Sequence, residues 1–139
     1  MSHRWPTLVL AGAGLLHVSC RGNAPAARTP TVVWRPLGSW AGRVSMQTDP
    51  FISDTGSLRL RWETTNEAAP GTGTFRVTLH SDVSGRALAL AIDARGAGRD
   101  TAYVSEDPRP FFLSVESTGL DWTVAADEGI AATAGPPGR

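Results

Sequence analysis

The chain reads as an all-β protein, a two-sheet antiparallel β-sandwich of about seven or eight strands. Three observations predict this. Apolar residues in the central segment recur at every second position, turn formers interrupt them at intervals of roughly ten to fifteen residues, and no stretch carries a convincing helical period.

The elements follow in order. A weak strand is expected at 40–47. Leu58, Leu60 and Trp62 then alternate with Arg59, Arg61 and Glu63, giving one apolar and one charged face. Phe75, Val77 and Leu79 alternate with Arg76, Thr78 and His80 in the same way. Leu88, Leu90 and Ile92 read as a third apolar face, with alanines on the other side. Weaker strands are expected at 101–105 and 111–116. Leu120, Trp122, Val124 and Ala126 close the series against Asp121, Thr123 and Ala125. Turn formers separate these runs at Asp54-Thr55-Gly56, Pro70-Gly71-Thr72-Gly73, Ser84-Gly85, Gly96-Ala97-Gly98, Asp107-Pro108-Arg109-Pro110 and Thr118-Gly119. Strands with a single apolar face must press those faces together, which makes two stacked sheets. Jelly-roll-like and immunoglobulin-like strand orders fit the pattern equally well.

At 139 residues there is room for one domain. Its expected core spans 39–128, a size at which folding buries only about 60–65% of the unfolded surface. The single cysteine cannot form an internal disulfide, so apolar packing carries the fold. Thirteen basic residues, all arginine, balance thirteen acidic ones. That balance argues against nucleic acid or an anionic surface as the main electrostatic partner, because both need clustered positive charge.

The N-terminal segment carries the strongest signal. Arg4 precedes an apolar run from Leu8 to about Val18, too short for a membrane span, which needs about 20 residues. It ends in His17-Val18-Ser19-Cys20, followed by a polar stretch containing Pro25, Pro30 and Pro36. Over roughly its first twenty-two residues the chain resembles bacterial lipoproteins, with small residues before the cysteine and His17 where that family usually has leucine. The resemblance implies a signal peptide at 1–19, acylation of Cys20, and a lipid-anchored cell-envelope location, at the outer membrane because Arg21 follows the cysteine. Ordinary secretion, with cleavage after Ala24-Pro25-Ala26, is the alternative. Residues 20–38 then read as a flexible linker and 129–139 as a disordered tail. The segment from Trp40 to Glu128 also resembles small exported bacterial domains, on Leu58-Arg-Leu-Arg-Trp62, Phe75-Arg-Val-Thr-Leu79, Arg95-Gly96-Ala97-Gly98, Phe111-Phe112-Leu113-Ser114-Val115 and Gly119-Leu120-Asp121-Trp122-Thr123-Val124. That resemblance implies a β-sandwich and no particular chemistry.

No catalytic constellation is expected. His80 is the one histidine beyond the leader and lies on a polar strand face, without a nucleophile or orienting acid at recognisable spacing. Glu63, Asp93, Glu116 and Asp121 are too scattered to read as a general acid and base. The loop from Asp93 to Asp100 offers carboxylates, but Arg95 and Arg99 in the same loop oppose a cation, and it reads as a turn. No cofactor or metal is expected. Trp62 and Trp122 lie in register with core positions. Trp34 and Trp40 fall near the edge of the domain and are the candidates for stacking on a ligand such as a sugar ring. The sequence thus points to a lipid-anchored envelope protein, not an enzyme, whose β-sandwich makes protein contacts or has a structural role. A module binding polysaccharide or another small ligand is the alternative.

Overall fold

The computed structural model describes Gly22 and residues 30–132. The expected signal peptide, Cys20 and residues 133–139 lie outside the described residues. Within them the chain forms nine strands: β1 (Thr31–Gly42), β2 (Met46–Gln47), β3 (Phe51–Ser53), β4 (Ser57–Thr65), β5 (Thr74–Ser81), β6 (Ala87–Arg95), β7 (Gly98–Ser105), β8 (Arg109–Thr118) and β9 (Asp121–Ala132). All pairings are antiparallel.

The pairing is nested. β5 pairs with β6, β4 with β7, β8 with both β2 and β3, and β9 with β1. The chain therefore behaves as one long hairpin whose tip is the 82–86 turn, rolled so that β4 also meets β9 and β5 also meets β8. Rolling yields two sheets, β1-β9-β4-β7 and β2-β8-β5-β6, with β3 joining the second beside β8. Counting β2 and β3 as one interrupted strand gives eight, in the jelly-roll arrangement. This decides between the two strand orders that fit the sequence.

The alternation in β4, β5 and β9 fills the space between the sheets. Leu58, Leu60, Phe75, Val77, Leu79, Trp122, Val124 and Ala126 are all buried there, with Phe111, Leu113 and Val115 from β8. Phe75 sits at the centre, 5.6 Å from Trp62 and 5.9 Å from Trp122 by ring centroids. Trp122 Nε1 donates to the Val44 carbonyl at 3.2 Å, so the buried indole keeps its polar group satisfied.

Three expectations about elements need correction. Residues 31–38, expected as linker, are the first half of β1, and residues 129–132, expected as tail, are the last turnless stretch of β9. They pair with each other from Thr31↔Ala132 to Trp34↔Gly129, and the ladder continues to Pro36↔Asp127. Proline density suggested an extended spacer, but β1 is an edge strand, where Pro36 removes no ladder bond that a second neighbour would need. In β6, Leu90 does not share a face with Leu88 and Ile92. The register shift between Val77 and Thr78 puts Leu90 opposite the outward Thr78, leaving it exposed. The short β3 has no counterpart among the expected strands.

The two ends of the sandwich differ. One end, here the terminal pole, carries the start of β1, the end of β9, and the 54–56, 82–86 and 106–108 connections. The opposite, distal pole carries the 43–45, 66–73, 96–97 and 119–120 connections.

Candidate functional site: a polar trough on the outer face of the β1-β9-β4-β7 sheet

The outer face of this sheet is built by the polar half of each alternating strand. β4 presents Arg59, Arg61 and Glu63. β7 presents Tyr103, Thr101 and Arg99 directly opposite them. β9, between β1 and β4, presents Thr123, Ala125, Asp127 and Gly129. The small residues of β9 make a low floor, and the long side chains of β4 and β7 make a wall. The result is a trough of about 340 Å³ lined by Ser39, Arg61, Glu63, Arg99, Asp100, Thr101, Thr123 and Ala125, among others.

Asp127 anchors this face. It points outward yet is only 2% exposed, because two arginines close over it. Arg59 Nη2 approaches Asp127 Oδ2 at 3.0 Å, and Arg61 Nε donates to the same oxygen at 2.9 Å. Burial pushes the carboxyl up, but the hydrogen bonds and charges of Arg61 and Arg59 outweigh it and hold Asp127 below the usual carboxylate range. Asp127 thereby fixes two guanidinium groups. Arg61 stays half-exposed and faces the trough.

The end of the face toward the terminal pole is aromatic. Trp34 of β1 is paired in register with Gly129 of β9. A Cβ on Gly129 would stand 3.3 Å from Trp34 Cζ3, so glycine lets the indole lie across β9. Arg59 Cζ stacks over the indole at 4.4 Å, and Tyr103 packs against it at 5.9 Å with the rings tilted by 52°. Trp34 is thus half-buried beneath neighbours, while Tyr103 is 68% exposed.

The two candidate tryptophans do not come together. The bulge between Pro36 and Gly38 switches β1 from one face to the other. Trp34 lies on the outer face, whereas Trp40 pairs with the buried Val124 and packs against Phe51 at 5.5 Å, over Gly38. Trp40 is part of the core wall, and the expectation that it is free to stack on a ligand is corrected. Tyr103, which the sequence reading did not single out, supplies the free ring instead. Asp127 was equally unmarked: the alternation of β9 places it outward, but its burial depends on the cross-strand register with Arg59.

A scan against protein-family models finds no match, and a search of the curated proteins finds none either.

The remaining candidates fall elsewhere. His80 lies on the outer face of the other sheet, stacked on Phe112 at 4.8 Å, with Nδ1 3.1 Å from the Gly85 carbonyl. Glu63 and Asp121 stand on one outer face, Asp93 and Glu116 on the opposite one. Asp93 pairs with Arg76 at 3.3 Å, and Asp100 accepts from the Thr101 amide. In the 93–100 loop, Gly96 takes a positive φ of 80° and its carbonyl accepts from Thr64 Oγ1 at 2.8 Å. The loop is pinned as a turn between sheets. Among the described residues no group of three or more His, Cys, Asp or Glu side chains is placed to hold a metal ion.

Proposed function

We propose that the protein is a non-catalytic binding module, held at a bacterial envelope membrane through an acylated Cys20, whose trough takes a polyhydroxylated, polysaccharide-type ligand. The observation that carries the ligand reading is the juxtaposition of a hydrogen-bonding trough with the exposed Tyr103 ring on one sheet face. Sugars offer hydroxyl groups in a ring plane and apolar C–H faces above and below it. Arg61, Glu63, Arg99, Asp100, Thr101 and Thr123 supply donors and acceptors for the first, and Tyr103 a surface for the second. Arg59, Arg61 and Arg99 are balanced by Glu63, Asp100 and Asp127, so the face favours a neutral ligand over a strongly charged one.

Calorimetric titration with soluble neutral glycans tests the ligand. The Tyr103→Ala and Arg99→Ala variants are each expected to weaken binding by roughly tenfold, about 1.4 kcal/mol. Arg76→Ala, on the opposite sheet, is expected to leave it unchanged. Equal affinity across all three variants overturns the reading, as does the absence of binding throughout the panel. The tether is tested separately by labelled palmitate and intact mass. Label is expected on the native chain and lost in Cys20→Ala; label retained by that variant overturns acylation at this residue.

A further inference from the structure

Four of the six exposed large aliphatic side chains among the described residues stand at the terminal pole: Val32 and Val33 at the start of β1, Ile52 in β3 and Val83 in the 82–86 turn. The other two are elsewhere, Val44 at the distal pole and Leu90 in the middle of β6. The clustering is topological. Ile52 pairs with Pro110, one step from the end of β3, and the Asp82 amide donates to the same Pro110 carbonyl, which brings the hairpin tip beside β3. Val32 and Val33 lie where β1 and β9 run past the end of β4, whose ladder with β9 stops at Leu58↔Glu128.

Charge at this pole is mildly acidic. Arg35 pairs with both Asp54 and Glu128, and Arg109 with Asp107, while Asp82, Glu106 and Arg86 stand outside these pairs, so carboxylates outnumber arginines. The pole therefore carries apolar tips on a mildly acidic ground, so docking there rests on apolar contact and the tether and not on attraction to anionic lipid headgroups. The chain also enters the domain here. Thr31 is eleven residues after Cys20, a span of at most about 40 Å even when fully extended.

We propose that the terminal pole is a membrane-docking end, with Val32, Val33, Ile52 and Val83 seated in the interfacial layer of the bilayer that holds the Cys20 lipid. This rests on the acylation reading. A short tether supplies a high local concentration of membrane, so side chains too few to bind a bilayer alone can dock once the lipid is in place. Docking in this pose points the distal pole away from the surface.

The test uses the full lipidated protein in vesicles of phosphatidylethanolamine and phosphatidylglycerol doped with doxyl-labelled phosphatidylcholine. Val83→Cys and Val44→Cys each carry an environment-sensitive fluorophore, since an acylated Cys20 has no free thiol. Intact mass first establishes acylation. On acylated protein, lipid quenching is expected to be at least about twofold stronger at position 83 than at 44. Acylated protein with equal quenching at both positions overturns the docking pose and leaves the tether standing. An unacylated residue 20 overturns the tether, and the pose with it.

Discussion

Glu128→Ala is expected to lower the stability of the domain by about 3–5 kcal/mol, the usual cost of removing one partner from a buried charged cluster. Glu128 is fully buried at the terminal pole, on the inner face of β9. Its Oε2 accepts from Ser53 Oγ at 2.7 Å, from the Asp54 amide at 2.9 Å, and from the amide and hydroxyl of Thr55 at 3.2 and 3.3 Å. Arg35 closes on the other oxygen. One carboxylate therefore holds the β3–β4 turn against β9 and the edge strand β1. Small domains have about 5–15 kcal/mol in total, so the loss is a large fraction of what holds the fold. Chemical denaturation with a far-ultraviolet readout measures it. Glu128→Gln, which keeps the shape but presents an amide to Arg35 or to the turn, is expected to cost about 1–3 kcal/mol.

The same residue sets the acid limit. Burial pushes the Glu128 carboxyl up, but Ser53, Arg35 and the Thr55 amide hold it down at about 2, against an ordinary 4.5. The unfolded chain binds the proton first on acidification. The contribution of Glu128 is therefore complete above about pH 4.5 and lost progressively as the pH falls towards about 2. Glu128→Gln is expected to flatten stability against pH in that window. Asp121, held below the usual range by the Asn66 amide and then Arg43, and Asp127, held there against its burial by Arg61 and Arg59, leave a residual slope. An unchanged profile in Glu128→Gln contradicts the assignment.

Gly56→Ala is the second large effect expected, at least about 2–4 kcal/mol from left-handed strain and a lost backbone bond. Gly56 closes the turn that Glu128 holds, with φ at 70°. An added Cβ would stand 1.8 Å from the Glu106 carbonyl oxygen, which is backbone and cannot swing aside. Relief requires moving the 106–108 connection, and with it the hydrogen bond from the Glu106 amide to the Gly56 carbonyl. Gly71→Ala is the control. Gly71 has φ of 75° and nothing within 4 Å of a new Cβ, so it reports the strain alone, about 1–2 kcal/mol. Thermal melts of the two variants side by side separate collision from strain. Equal losses would mean that the 106–108 connection yields freely.

Much of the architecture was legible because alternation is a local property. Leu58 and Leu60, or Phe75, Val77 and Leu79, announce their burial without knowledge of any partner strand. The errors arise where a neighbour decides. Leu90 has the period of a core residue, but the bulge between Ile92 and Leu90 against β5 turns it outward. Pro36 looks like a linker residue until β1 is known to be an edge strand. Trp34 and Trp40 have the same parity and would share a face, but one extra residue at the bulge separates them. The jelly-roll order itself depends on long-range pairing, on which local pattern is silent. The site shows the same division. The outward direction of Arg59 and Arg61 was visible in the sequence. That Asp127 would lie buried beneath them, and that Tyr103 would be the exposed ring beside them, needed the register of three strands.

Amide chemical-shift mapping during glycan titration tests the central claim most directly. Binding in the trough predicts perturbations concentrated at Arg61, Glu63, Arg99, Thr101, Tyr103, Thr123 and Ala125, with Arg76, Asp93 and Glu116 on the opposite sheet unmoved. Perturbations centred on that opposite sheet, or a spectrum unchanged by every glycan tested, would contradict it.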